Sequence, residues 1–283
     1  CFAGFVCDIY TRLMRGENVP IDEHPVWLDV YREDREHFAS AKFARDMEFW
    51  KRHLERIPEK RIFRARPGHA DVLGNSRYGK YHLGEDASRV IDRVIQRYGI
   101  SINIYFTALH ALIASFMCDE KRVVILNPVA FGERKVLHRR QGYQVAMPPI
   151  FVDLNAHESI AGLFEDISAQ GRTFYRHIRT PHQVAMRELP HKNFACLGDM
   201  FVNYIPGMPS GSPEFPIKTA AQVHGRHEDL VLGMLVLREA ETDTFSLTVR
   251  SSCNHLSEQD VERYVRRVEL VSRQLDAGAD LAD

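Results

Sequence analysis

Fourteen histidines and five cysteines are the residues of this 283-residue chain best suited to acid–base, nucleophilic or metal chemistry, and their spacing matches none of the usual constellations. His157-Glu158 is followed by Ala161 where the second histidine of H-E-x-x-H would stand. His224 and His227 form an H-x-x-H with no third ligand in register, so they read as loop and edge residues rather than a zinc site. In Gly207-Met-Pro-Ser-Gly211 the serine falls one position too late for a nucleophile elbow. There is no G-x-G-x-x-G and no P-loop, so nucleotide cofactors have no support. His110 lies inside an apolar helix and reads as a core imidazole bonded to a backbone carbonyl rather than a general base. Cys1, Cys7, Cys118, Cys196 and Cys253 are odd in number and contain no C-x-x-C, which points to reduced thiols and a cytoplasmic setting. Asn203 is a different kind of candidate, because a polar amide in an otherwise apolar strand must find a partner.

Whatever positions these groups is an ordinary globular body. The chain is 45% hydrophobic and 27% charged, enough for one large domain or two modest ones. Thirty-seven Lys and Arg balance thirty-eight Asp and Glu, so no global field recruits nucleic acid or an anionic membrane, and neither is expected as a partner. The uncharged run from Tyr98 to Cys118 is interrupted by Gly99, Ser101, Asn103, Thr107, His110 and Ser115. It reads as a core helix capped by Ser101, not a membrane span. Lys60, Arg61, Arg64 and Arg66 read as a solvated linker or edge-strand face in preference to a phosphate or carrier-protein contact.

The element order follows from periodicity. Phe2, Phe5, Val6, Ile9, Leu13 and Met14 form a helical stripe with no capping residue ahead of it, so the chain is expected to begin inside a helix that belongs to something longer. One charged helix is predicted from about Asp34 to Arg56, a strand at 77–83, a helix from Asp86 closed by Gly99, and the core helix 101–117. Strands follow at 122–131 and 144–154, the second kinked at Pro148-Pro149. Next come a helix from Ser159 to Ile178 and a shorter one opened by Thr180-Pro181. A strand at 199–205, a loop at 206–216, a hairpin of strands near 229–238 and 244–252, and a helix capped by Ser257 complete the chain. The predicted class is α/β, a two-layer sandwich with a mixed sheet.

Several segments, each weak alone, together resemble the condensation domains of nonribosomal peptide synthetases, within the chloramphenicol-acetyltransferase-like superfamily. Pro128-Val129-Ala130 resembles the family's P-V-A-G-R loop, and Gly142-Tyr143-Gln144-Val145 through Pro149, Val152, Asp153 and Leu154 resembles G-F-F-V-N-T-L-P-L-R-V-D-L. Phe49-Trp50-Lys51-Arg52-His53-Leu54 is similar to Y-W-x-x-x-L, and Tyr175 to His182 to the helix ending in H-Q-x-x-P-F. Met200-Phe201-Val202-Asn203-Tyr204 is similar to F-x-V-x-F-N-Y, and Asp229-Leu230-Val231-Leu232 to F-D-L-x-L.

The resemblance implies a chloramphenicol-acetyltransferase-like C-terminal lobe at 71–283, preceded by inter-lobe helices and linker at 1–70, with the family's catalytic H-H-x-x-x-D-G lying ahead of Cys1. It implies a substrate tunnel with Asn127 and Arg134 in its floor loop, Gly142 and Tyr143 in the wall, and Asn203 and Tyr204 facing the acceptor side. It places the 206–229 excursion near a latch crossing to the other lobe. The implied partners are acyl or peptidyl carrier proteins, which present phosphopantetheine, and the N-terminal lobe of the same domain; no cofactor is held directly. The chain departs from the pattern at Gly132, Ala146 and Phe151, where the family carries Arg, Asn and Arg. Those departures leave open a free-standing amide synthase, a non-catalytic module that recruits another protein, and a coenzyme-A-dependent acyltransferase.

Overall fold

Serine placement sets most helix starts. Ser101 Oγ accepts from Ile104 N at 3.3 Å and opens α5, Ile102–Cys118; Ser159 Oγ accepts from Gly162 N at 3.2 Å and opens α6, Ile160–His177. Ser257 makes a reciprocal capping box with Asp260 at the head of α8, Glu258–Asp276. Gly99 ends α4, Glu85–Tyr98, with φ 61° and ψ 34°, a left-handed conformation that favours glycine. The same logic corrects one expectation. The charged helix predicted from Asp34 to Arg56 is two helices, α2 at Trp27–Phe38 and α3 at Ala41–Glu55. Ser40 breaks it: its Oγ donates to His37 O at 2.7 Å and accepts from Phe43 N at 3.2 Å, offering the backbone an alternative to helix continuation.

The computed structural model describes residues 9–19, 27–59, 61–68, 76–130, 145–192, 194, 197, 199–205, 211–212, 215–216 and 230–281. A short helix, α1, covers 9–14, and α7 covers His182–Met186 behind Pro181. The main sheet holds β1 (Ser76–His82), β2 (Arg122–Leu126), β5 (Pro149–Asp153), β6 (Met200–Ile205), β9 (Leu232–Arg238) and β10 (Phe245–Ser252). Its order is β1-β10-β9-β6-β2-β5. β6 runs parallel to both β2 and β9, while the β9–β10 hairpin and the β1–β10 and β2–β5 pairs are antiparallel, giving the mixed sheet expected. Two small ladders stand apart, β3 (Val129–Ala130) with β4 (Val145–Ala146), and β7 (Gly211–Ser212) with β8 (Phe215–Pro216). The Pro148-Pro149 step separates β4 from β5, and β5 is the sheet's edge, where a proline costs no interior ladder bond.

Helices α4, α5 and α8 cover one face of the sheet. Met200, Val202, Leu232, Met234, Val236, Leu247 and Val249 point into that layer and are at most 1% exposed. Phe106 of α5 meets Phe245 edge-on at 5.4 Å, and Tyr264 of α8 donates its hydroxyl proton to Met234 Sδ at 3.4 Å. Arg93 and Arg97 of α4 hold Asp276 at the end of α8 at 2.6 and 3.4 Å. Helix α6 lies against the free edge of β5, where Gln170 accepts from Phe151 N and donates to Phe151 O, supplying the ladder partner the edge lacks. Among the described residues no single helix is long and apolar enough to cross a bilayer; α4 and α5 meet at 106°.

Candidate functional site: a half-buried sheet face and its supports

Side chains alternate along a strand, so the register fixes what shares the second face of the sheet. Phe201 aligns with Leu126, Gly233, Arg250 and Tyr78. Asn203 aligns with Leu235, Thr248 and Lys80, and Ile205 with Leu237, Ser246 and His82. On this second face Leu126, Phe201, Asn203, Ile205, Leu237 and Thr248 are half-buried, while Gly233, Leu235, Ser246 and Arg250 are buried. This face is a wall of apolar side chains with an amide, hydroxyls and cations set among them, the composition of a ligand-lining surface. Gly233 lets the strands lie flat there: a Cβ would come within 3.1 Å of Leu230 and 3.5 Å of Phe201.

Asn203 shares this face, and its side-chain amide forms no hydrogen bond among the described residues. Tyr204, its neighbour on β6, points the other way, into the helix layer, where it packs against the core. Burial raises the pKa of the Tyr204 phenol, opposed by the nearby Arg238 cation. The pair expected to face one side therefore face opposite sides, as consecutive strand residues must.

Asn127 is 1% exposed and fully engaged. Its Nδ2 donates to Thr107 Oγ1 at 2.9 Å and Asn103 Oδ1 at 3.1 Å, while Asn103 Nδ2 donates back to its Oδ1 at 2.8 Å. Its backbone N–H donates to Pro148 O at 3.2 Å. The residue thus pins the chain leaving β2 to the first turns of α5 and to the Pro148-Pro149 step. Arg134, Gly142, Tyr143 and Gly132 lie outside the described residues, as do His224, His227, Cys1, Cys7, Cys196 and the Gly207–Ser210 part of the serine loop. At the β3–β4 ladder, Tyr175 of α6 adds a hydroxyl bond to Ala130 O at 3.3 Å. Phe151, standing where the family carries Arg, has the Arg56 guanidinium 6.0 Å from its ring, so a cation reaches this place from α3.

The densest polar cluster was not singled out from the sequence. Asp46 of α3 is 1% exposed and accepts from Lys42 Nζ at 2.9 and 2.8 Å, from His177 Nδ1 at 2.8 Å and from Thr180 Oγ1 at 3.2 Å. His37 of α2 bonds Thr180 Oγ1 at 2.8 Å. Burial alone would raise the Asp46 pKa, but the hydrogen bonds from Lys42 and His177 outweigh it and hold the carboxyl below its ordinary value. Burial and the Arg179 cation lower the pKa of His37. Lys42 Nζ also donates to Arg176 O, and Trp50 Nε1 to His177 O at 3.1 Å, so α3 satisfies the carbonyls that α6 leaves open at its C-terminus. A signal existed: Asp46 lies three residues after Phe43 and four before Trp50, on the apolar stripe of α3.

Several other described histidines have structural partners. His110 Nδ1 meets Tyr264 Oη at 2.6 Å, and burial pushes its pKa down to about 3 against the opposing pull of a hydrogen bond to the Leu232 backbone, in keeping with the core imidazole expected. His182 is pushed to about 4 by burial and the neighbouring His53 ring. His157 Nε2 lies 3.6 Å from Asp166, and no cluster able to hold a metal occurs among the described residues. In the basic stretch, Arg61 pairs with buried Asp199 at 3.6 Å and Arg66 donates to Cys253 O at 3.2 Å, which ties this segment to the sheet region. Cys118 and Cys253 are free thiols, and burial lifts Cys118 to about 11.

No curated protein matches the chain. Among solved structures, the first condensation domain of the calcium-dependent antibiotic synthetase, in complex with substrate analogue 3a, superposes with a TM-score of 0.79 at 17% identity, over 99% of this chain and 62% of that one. The condensation domain from Monacolin K polyketide synthase MokA gives 0.79 at 13% identity, over 95% of this chain and 65% of that one. SgcC5 from Streptomyces globisporus gives 0.72 at 13% identity, over 93% and 63%. The chain therefore spans less than two thirds of the length of these proteins, and at such identities the likeness establishes the shared fold. The family model for the condensation domain matches residues 4–206. With that match running over most of its length, this chain belongs to the condensation-domain family.

Proposed function

We propose that this chain is the C-terminal lobe, with its inter-lobe helices, of a domain that joins a carrier-bound acyl or peptidyl thioester to an acceptor amine. In that reaction the amine nitrogen bonds to the thioester carbonyl carbon, the C–S bond breaks, the thiol leaves, and the attacking nitrogen loses a proton. The family resemblance puts the histidine that assists this step ahead of Cys1, so the residues here bind and orient rather than take the proton. The observation that carries the reading is the match: 99% of this chain superposes on 62% of a condensation domain, and the family model covers 4–206.

Two features support it. The wall around Asn203 alternates apolar side chains with an amide and hydroxyls, which suits a pantetheine arm made of methylenes and amides. Among the described residues, Leu13, Met14, Tyr31 and Phe38 of α1 and α2 are large hydrophobics 45–64% exposed. Such a patch fits the missing N-terminal lobe. Carrier proteins are the natural partners of this reading, and a cytoplasmic setting suits its free thiols. The test is amide formation from a carrier-bound thioester and a free or carrier-bound amine. The complete protein is expected to form the amide and residues 1–283 alone are not. Turnover by these residues alone, or by the complete protein from an acyl-coenzyme A thioester without any carrier, would overturn the proposal.

A further inference from the structure

Three rings of α3 and α6 stand nearly parallel. Phe49 stacks on His177 with centroids 4.0 Å apart at 12°, and lies nearly parallel to His53 at 6.2 Å and 11°. One end of this column is anchored, because Asp46 holds His177 Nδ1. The other end does something specific. His53 Nε2 lies 2.8 Å from Pro149 O, and since a carbonyl only accepts, that nitrogen carries the proton. Burial lowers the His53 pKa, although the Pro149 carbonyl pulls in the opposite direction. Pro149 follows directly on Pro148, whose carbonyl accepts the Asn127 N–H. The joint between β4 and β5 is thus held from two sides, by α3 through His53 and by the exit from β2 through Asn127.

We infer that His53 is a positioning residue: it fixes the Pro148-Pro149 joint, and through Asn127 the exit of β2 beside Leu126 of the half-buried sheet face, to helix α3. Prolines supply no N–H at this joint, so its geometry depends on what grips its carbonyls. An imidazole buried at 8% exposure, with its Nε2 2.8 Å from the carbonyl, is a rigid donor for that purpose. The consequence for turnover rests on the amide-forming reading above; the consequence for the joint does not.

The experiment uses the complete protein and two substitutions. His53→Phe keeps the ring column and removes the donor, and His53→Gln keeps an N–H donor and removes the ring. Native-state hydrogen exchange at the Asn127 amide reports the joint, and amides within α3 serve as the internal control. In His53→Phe, a buried carbonyl left without its donor should speed Asn127 exchange by about tenfold. The α3 amides should be unchanged, and His53→Gln should return the rate to near wild type. Amide formation should follow, with kcat/KM lower by about tenfold in His53→Phe and restored in His53→Gln. Unchanged Asn127 exchange in His53→Phe, or equal acceleration in both variants, overturns the positioning role. If the exchange pattern appears as expected while the wild-type complete protein forms no amide, the assigned reaction falls and the positioning role stands.

Discussion

Asp46 shows how a single buried carboxylate can join three helices. Its folded pKa lies below the ordinary 3.8, so its contribution to stability is complete above that value and is lost as pH falls through the lower folded value. Asp46→Asn should cost about 1–3 kcal/mol at neutral pH, since Lys42, His177 and Thr180 lose an anionic acceptor. The gap between variant and wild type should close as acid titrates the carboxylate, and denaturant melts from neutral pH downward measure it. A gap that does not change with pH would rule out the carboxylate as its source. Asn203 makes the opposite kind of prediction. Its amide serves nothing else in the described fold, so Asn203→Leu should leave the thermal midpoint within a few degrees while amide formation by the complete protein falls about tenfold. Asn203 was legible in the sequence because a lone amide interrupts an apolar strand. Asp46 carried a similar signal on the apolar stripe of α3, but its cluster was not legible: His177 is far away in sequence, Lys42 is hidden in a run of charges, and only the fold brings them together.

At the scale of elements, start signals were the legible part. Ser101, Ser159 and Ser257 each cap the helix they precede, and Gly99 closes α4 in the left-handed region. Replacing Ser257 with Ala removes one half of a reciprocal cap and should cost about 1 kcal/mol, read as a lower midpoint in urea at unchanged slope. The break at Ser40 was missed because the apolar stripe continues through it, from Phe38 to Phe43, and only the serine's competing backbone bonds reveal the division. Facing was missed at β6 for a related reason. A motif match treats Asn203 and Tyr204 as a pair, whereas the two-residue period of a strand sends them to opposite layers.

For the molecule as a whole, the order of helices and strands was readable from periodicity, and the mixed sheet followed from hairpin and crossover spacings. The strand order was not, because it is set by pairings between segments far apart in sequence. That order has a kinetic consequence. β6 lies between β2 and β9 and is parallel to both, so each of its seams closes a long stretch of chain before any ladder energy returns. Val202→Ala, at a fully buried position of this strand, should destabilise by about 2 kcal/mol. Most of that loss should appear as faster unfolding, with the refolding rate nearly unchanged; slowed refolding instead would place β6 in the folding nucleus. The strand carrying the unengaged amide is then among the last parts of the chain to find its place, and a nascent chain reaches binding competence only when its slowest closure is complete.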